Sequence, residues 1–262
     1  MQIVVIIGRV LDPSGITVNR RRGRIFVNRE EFKLQPADRC ALEAALRIKE
    51  AVGAEVIVLP RDPLPDDDDV LRQALALGAD RAVYFVDKVG NAGDAVMTHV
   101  LAAAVERLGG ADLVLTGATT LDTGQGQLGP RLAEALGWAQ ILDVWQAAVS
   151  EEKVQAVCQD GGDYVTVEAD LPVVVTVLPG SLKLRYPDGV RLINVYKGVG
   201  EIAEALERWD VAGLVDVEAL KPLLERRGQD FPPERVLGAR AEGTSAEMAQ
   251  AAANALRQRV GR

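Results

Sequence analysis

One histidine, two cysteines and no surplus of positive charge narrow the chemistry open to this 262-residue chain before any motif is considered. The single histidine, His99, falls in an alanine-rich helical stretch and reads as a structural or surface residue. That leaves no base for a hydrolytic triad and no ligand set for zinc. Cys40 and Cys158 are far apart without metal or redox spacing, so they read as thiols of a reducing cytoplasm and not as a disulfide or an iron–sulfur site. A net charge of −8 argues against general binding to a phosphate backbone, and no nucleic-acid partner is expected. No apolar run approaches the roughly 18 residues that cross a bilayer. The opening MQIVVIIGRV lacks the basic start and cleavage site of a signal peptide and reads as a first strand. A Walker A phosphate loop is absent too.

The most informative stretch is Asp112 to Trp138, DLVLTGATTLDTGQGQLGPRLAEALGW. Leu113 to Leu115 form an apolar strand, and Leu128, Leu132 and Leu136 recur at the spacing of one helix face. Between them runs a loop of small and polar residues whose glycines 124, 126 and 129 let a ligand approach the backbone. A helix that starts there presents unsatisfied N–H groups and the positive end of its dipole, so the loop reads as a cradle for a nucleotide phosphate. Gly124, Gly126 and Gly129 also spell G-x-G-x-x-G, but six residues separate Gly117 from Gly124 and the motif lies mid-chain. The dinucleotide fingerprint requires its glycines directly after the first strand, so this match is no evidence for a dehydrogenase.

Along the first half of the chain strand and helix alternate, as a parallel sheet with crossover helices requires. Strands are expected at Ile3 to Ile7, Glu55 to Leu59, Ala82 to Val86 and Leu113 to Thr116, each followed by a helix, near 37–51, 67–77, 94–108 and 125–136. A long insert, Arg9 to Gln35, interrupts the first connection, with a hairpin whose tip carries Arg20, Arg21, Arg22 and Arg24. That cluster is a solvated turn or a docking surface for an acidic partner. The Asp66 to Asp69 run is expected to cap the helix after it. From about Val154 the runs VQAVC, YVTVEA and VVVTV around Gly161-Gly162 have the grammar of hairpins. Past Gly198 two amphipathic segments, about 200–208 and 244–258, form an extended tail suited to packing on a partner. The expected organisation is therefore an α/β nucleotide-binding domain over 1–198, doubly wound with a mostly parallel sheet and a β-hairpin region, and a C-terminal arm over 199–262. The chain shows a nucleotide site and no catalytic constellation, which favours a binding subunit over a self-sufficient enzyme.

Several segments, in order, resemble the beta subunit of electron transfer flavoprotein. IVVIIGRVLD resembles that family's first strand and exit loop, with Val10 and Asp12. LQPADRCALEAALRIKE resembles its turn into the first helix, with Pro36 and Asp38 in place, and LRQALALGADRAVYF is close to its alanine-rich glycine-alanine-aspartate-arginine segment. Asp122, Gly126, Gln127, Gly129 and Pro130 fit its nucleotide loop, and Gly137-Trp138 and Gln140 fit the segment after that loop. Asp160-Gly161-Gly162, Leu171-Pro172 and Arg185-Tyr186 complete the series. The resemblance implies an adenine-nucleotide alpha-hydrolase-like fold. It also implies a heterodimer in which this subunit holds AMP, or a second FAD, while the alpha subunit carries most contacts to a redox-active FAD. Such a complex shuttles electrons from flavin dehydrogenases to a quinone reductase or another acceptor. Carried over by position, the cofactor contacts fall at Ile6, at Gln35, Pro36, Ala37 and Asp38, and at Thr119, Asp122, Thr123, Gly124, Gln125, Gly126, Gln127, Leu128, Gly129 and Pro130. Backbone amides of Gln125 to Leu128 would meet phosphate, and Asp122 would accept from ribose hydroxyls or cap the helix. Partner docking would involve Arg185, Tyr186 and either Leu192 or Ile193, with buried packing as the plainer role for the last two. Gln35 stands where asparagine is usual, Gly124 where a second acidic residue is common, and Lys183-Leu184 where glutamate-proline is. The alternative is a stand-alone adenine-nucleotide sensor of related architecture with no redox role.

Overall fold

The first apolar run leaves no face for solvent. In strand β1 (Gln2–Ile7), Ile3, Val5 and Ile7 point into one hydrophobic cluster and Val4 and Ile6 into another, all fully buried. A strand with two dry faces needs helices on both sides, which is the doubly wound arrangement. A computed structural model describes residues 1–62, 68–86, 93–150, 152–200, 202, 204–216, 220, 238 and 240–260 of the protein. After β1 the insert forms two small ribbons. β2 (Arg9–Leu11) pairs antiparallel with β5 (Phe32–Leu34), and β3 (Ile16–Asn19) pairs with β4 (Arg24–Val27).

The βα units come next, as α1 (Pro36–Val52), β6 (Glu55–Pro60), α2 (Asp69–Leu77), β7 (Arg81–Phe85), α3 (Gly93–Arg107), β8 (Leu113–Gly117) and α4 (Leu128–Leu136). Beyond them lie β9 (Ala139–Ser150), β10 (Lys153–Asp160), β11 (Asp163–Asp170), β12 (Val173–Val177), α5 (Gly189–Lys197), β13 (Leu206–Trp209) and α6 (Ser245–Val260). The main sheet runs β11-β10-β9-β12-β8-β1-β6-β7-β13. Its strands are parallel from β9 to β13, and at one edge β10 pairs antiparallel with both β9 and β11. Helices α1 and α2 cover the face that holds Ile3, and α3 and α4 cover the other.

One expectation is corrected. VVVTV is not a hairpin strand: β12 inserts parallel between β9 and β8 and is buried along its whole length. The run has no polar alternation because both its faces are dry. The register slips once against β9, where Asp143 adopts a left-handed backbone (φ 53°) and donates its N–H to Thr176 Oγ1 at 3.0 Å. The amphipathic segment near 200–208 ends in a strand, since β13 pairs parallel with β7 at the sheet edge. Leu206 and Trp209 lie three apart, a spacing that also fits a helix, and a four-residue strand is too short to display its own period. Trp209 is buried with the Arg107 guanidinium 4.5 Å above its ring, and Arg81 bonds Glu207 at 2.7 Å. The main sheet therefore includes residues that follow Gly198.

Contacts divide the chain into one compact unit of Met1–Asn19 and Ile25–Arg226 and a small second unit of Arg20–Arg24 and Arg227–Arg262. Within the second, α6 starts on a reciprocal cap: the Glu247 carboxylate accepts from the Thr244 N–H at 2.7 Å and Thr244 Oγ1 accepts from the Glu247 N–H at 3.4 Å. The acidic run before α2 caps less directly than expected. Asp68 occupies the cap position but bonds Arg72 at 2.6 and 2.9 Å, not the helix amides, and Asp66 and Asp67 lie outside the described residues. Replacing Trp209 by alanine is expected to cost about 3–5 kcal/mol in urea unfolding. A loss under about 1 kcal/mol would show that β13 adds no core to the sheet.

Candidate functional site

β1 lies at the centre of the sheet, and chain order departs from it in both directions, through β6 and β7 on one side and β8 on the other. Such a reversal leaves a crevice beyond the carboxyl ends of the strands, where open α/β sheets take their ligands. Asp38 closes the base of that crevice. It sits in the first turn of α1, buried, and its two carboxylate oxygens accept from the Gly8 N–H at 2.7 Å and the Gly117 N–H at 2.9 Å. One side chain thus ties the helix start to the ends of β1 and β8. A side chain at Gly117 is excluded, because a Cβ there would fall 2.4 Å from Asp38 Oδ1 and 2.6 Å from Ala37 Cβ. Burial pushes the Asp38 carboxyl up to about 6, against the opposing pull of the Arg61 charge and the two amides.

Gln35 braces the facing loop. Buried just ahead of α1, it donates its N–H to the Gly8 carbonyl at 2.9 Å, accepts from the Leu121 N–H at 3.0 Å through Oε1, and donates from Nε2 to Asp122 Oδ1 at 3.4 Å. The loop also closes on itself. Thr120 N–H bonds the Gln125 carbonyl, Gly124 N–H bonds the Thr120 carbonyl, and the Thr120 and Thr123 hydroxyls lie 2.7 Å apart. Gly124 adopts φ 66°, and Gly126 packs so closely that a Cβ would strike the Ala118 carbonyl oxygen at 2.5 Å. Asp122 does not cap the following helix; its Oδ1 accepts from its neighbour Thr123 N–H at 2.8 Å. The helix begins three residues later than expected, at Leu128, after Gln127, whose side chain makes no capping bond and instead accepts from Arg131. The first turn of α4 therefore has no side-chain cap and no acidic residue, which suits an anion.

Gln35, Ala37 and Asp38 are buried at the start of α1, and across the loop before α4 Thr123, Gly124, Gln125, Gly126 and Gln127 are exposed. The Ile6 side chain faces the hydrophobic core, one residue before the end of β1 at Ile7. Three polar residues, two at strand ends and one in the first turn of α3, escape a sequence reading. Arg61, directly after β6, is buried; its Nη2 donates to Asp94 Oδ2 at 3.5 Å and its Nη1 has no partner among the described residues. Asp94 lies in the first turn of α3. Thr116, fully buried on β8, has a hydroxyl without a partner among the described residues, and Gly129 passes so near that a Cβ there would lie 3.2 Å from its methyl group. A charged residue one place beyond a parallel strand was the available signal for Arg61. Among the described residues no group of three or more His, Cys, Asp or Glu side chains can hold a metal ion.

The expected docking residues separate by role. Arg185 is tied to α1, with Nε 2.9 Å from Glu43 Oε2 and a short ion pair to Glu50. Burial opposes ionisation of Glu43, but the bonds from Arg185 and Arg47 outweigh it and hold its carboxyl below the ordinary range. Tyr186 is 86% exposed. Leu192 packs half-buried against the core, whereas Ile193 points outward on α5 in a stripe with Val190 and Tyr196. Two arginines hold α5 against α2: Arg191 donates to the Leu75 and Ala79 carbonyls, and Arg72 donates to the Val195 carbonyl at 2.9 Å. Each guanidinium meets the negative end of the other's helix.

A doubly wound α/β protein with an uncapped helix start and a buried acid at its switch point belongs to the class that holds ligands at the strand ends. Residues 24–205 match the electron transfer flavoprotein domain as a family. The chain is 32% identical to the electron transfer flavoprotein subunit beta of Clostridium acetobutylicum over 83% of its own length and 81% of that protein. It is 35% identical to protein FixA of Azorhizobium caulinodans over 71% and 68% of the two chains. With the subunit beta of Bacillus subtilis the identity is 28% over 98% of both. The chain belongs to the electron transfer flavoprotein beta-subunit family. Its class of function is electron transport as part of a flavoprotein.

Asp38→Ala strands two buried N–H groups and is expected to cost about 2–5 kcal/mol, with Asp38→Asn, which keeps one acceptor, intermediate. The pH dependence has a definite sign. The folded-state value lies above the unfolded one, so the stabilisation from protonated Asp38 is fully present below about pH 4 and is lost as pH rises through about 6. Relative to Asp38→Asn, the native protein should lose about 3 kcal/mol of unfolding free energy across that window. A flat difference would place the carboxyl at its ordinary value.

Proposed function

We propose that this chain is the nucleotide-holding beta subunit of a heterodimeric electron transfer flavoprotein, with AMP in the switch-point crevice and FAD carried mainly by an alpha subunit. The observation that carries this reading is the state of the strand ends. The two buried side-chain polar atoms without partners among the described residues, Arg61 Nη1 and Thr116 Oγ1, both lie there, beside an uncapped helix start and a glycine loop. Buried donors without acceptors are costly in a finished core and ordinary in a site shaped for a polar ligand.

The residues of this chain fit that ligand by chemistry as well as by place. The amides of Gln125 to Leu128 would receive phosphate, Thr119, Thr123 and Asp122 offer groups for ribose hydroxyls, and Pro36 and Ala37 line the α1 side with Gln35 and Asp38 behind them. Gly129 and Pro130 let α4 start close against β8. Ile6 contributes through the strand end that its packing holds in place. FAD in the complex supplies the capacity to take up and release electrons; the protein supplies binding and electrostatics and no catalytic residue of its own. The same cradle would serve the adenosine and phosphate of a second FAD in a complex that bifurcates electrons.

Tyr186 and Ile193, exposed on and before a helix clamped by Arg72 and Arg191, are the anchors for a flavin dehydrogenase, a quinone reductase or another acceptor. Arg185 sets the loop that presents them, and Leu192 roots the helix in the core. The C-terminal arm, 199–262, packs on the alpha subunit: β13 belongs to the main sheet, whereas α6 carries exposed Met248 and Leu256 and no buried residue among 245–258. A cytoplasmic location suits the free thiols of Cys40 and Cys158, and no described helix is long and apolar enough to cross a membrane. A stand-alone nucleotide sensor would leave that arm without purpose.

The decisive experiment is co-expression with candidate alpha subunits, denaturation of the purified complex and identification of the released nucleotides by mass spectrometry and flavin absorbance. One FAD and one AMP per heterodimer are expected. Two FAD would replace AMP with the bifurcating ligand, and a flavin-free protein without a partner would replace the electron carrier with the sensor.

A further inference from the structure

The two edges of the main sheet are finished differently. At one edge β13 is only four residues long and carries Arg208, whose guanidinium lies 4.9 Å from the centre of the Tyr84 ring. A short strand bearing a cation is one way in which native proteins blunt an edge. At the other edge β11 has eight residues, DYVTVEAD, with no proline, lysine or arginine among them. Its pairing with β10 runs unbroken from Asp163 opposite Asp160 to Asp170 opposite Lys153, without a bulge. Tyr164, Val165, Thr166 and Val167 fill its middle, residue types that favour a fully paired strand. None of the eight is buried, and Tyr164 is 58% exposed. Every second residue of an edge strand turns its N–H and C=O away from the sheet. β11 is the last strand in the order, so half of its backbone groups face no other strand among the described residues.

The charges on β11 decide what can lie along it. Asp163, Glu168 and Asp170 are all acidic and all exposed. Lys153 of β10 stands 3.8 Å from Asp170, and Gln155 donates to Glu168 at 3.1 Å, but neither Asp163 nor Glu168 has an ion-pair partner among the described residues. A second copy of this chain is a poor occupant. Full antiparallel pairing of two β11 edges would set Asp163 opposite Asp170 at both ends, and parallel pairing in register would place each acid beside its own copy; like charges so placed destabilise a ladder. A strand with lysine or arginine at the matching positions is attracted where a second β11 is repelled. We propose that β11 is an interface strand along which the alpha subunit adds a basic strand edge to edge, so that the sheet continues across the heterodimer. Trp145 and Tyr164, whose rings meet edge to face 6.1 Å apart at this margin, offer the added strand an aromatic surface. This assignment rests on the heterodimer reading given above.

The test is residue-resolved amide hydrogen exchange on the full chain in complex with its co-expressed alpha subunit, the composition of the complex being fixed first by sedimentation. Every amide from Tyr164 to Ala169 is expected to be protected, because β10 holds one alternate set and the added strand the other. Protection of every second amide alone would mean an open edge and would overturn the assignment. Asp163→Lys combined with Glu168→Lys reverses two exposed charges and leaves the Lys153–Asp170 contact in place. This variant is expected to weaken the heterodimer about 10-fold, the effect of two cross-strand charge pairs turned from attraction to repulsion, with the melting temperature of the chain unchanged. Association that is unchanged or tighter would show that the added strand is not basic, and the assignment would fall. Full protection within a homodimer of this chain would overturn it as well, by making a second copy the occupant. A chain that joins no alpha subunit would sink the heterodimer reading itself, and this assignment with it.

Discussion

The carboxylate of Asp38 is the contact on which the arrangement of the crevice depends. It reaches from the first turn of α1 to the last amides of β1 and β8, the two strands between which the chain reverses its order. Parallel strands end with amides that no neighbour satisfies, and at most ends water or a loop supplies the acceptor. Here one acid supplies both, which fixes the helix start, the strand separation and the floor of the site together. The arrangement admits no side chain at Gly117 and little room at Gly8. It also holds a carboxyl in a dry place, where two amides and the nearby Arg61 charge only partly offset the cost.

Around that point the protein distributes rigidity unevenly. The central parallel strands β1, β6, β7, β8 and β12 are dry on both faces and make a stiff platform. The loop from Ala118 to Gln127 is held by Gln35 and by its own turns, so it keeps its shape while its backbone stays open to a ligand. α5 is fastened differently, by two arginines placed on helix carbonyls, and so displays Ile193 and Val190 on an element that packing alone would hold loosely. On the antiparallel edge Trp145 and Tyr164 meet edge to face, with ring centroids 6.1 Å apart.

Legibility tracked the length and purity of each pattern. The apolar strands β1, β6, β7 and β8 and their helices were readable because each shows its own period over enough residues, bounded by Gly53, Gly78 or Gly137 at a helix end. β12 was recognised as a strand but not as a central one, since five apolar residues do not say which neighbours cover them. β13 was legible only as an amphipathic segment of undefined type because two apolar residues three apart satisfy a helix and a strand alike. The start of α4 was placed early, at 125, because nothing in Gln125-Gly126-Gln127 distinguishes a helical turn from the last residues of a loop. The roles of Gln35 and Asp38 were read as contacts to a ligand, whereas their hydrogen bonds within the chain show them first as the framework that shapes the site.

The order of elements, the dry centre of the sheet and the glycine loop before α4 are properties of local sequence, because each rests on residues within one or two turns of each other. The family likeness is of the same kind, a succession of short segments in a fixed order. The crevice itself was decided only by tertiary structure. Gly8, Asp38, Arg61, Asp94 and Thr116 come from five different elements, and no local period links them. They meet because parallel strands joined by crossover helices must place all their carboxyl ends on one edge, so that distant residues share a site through topology and not through spacing.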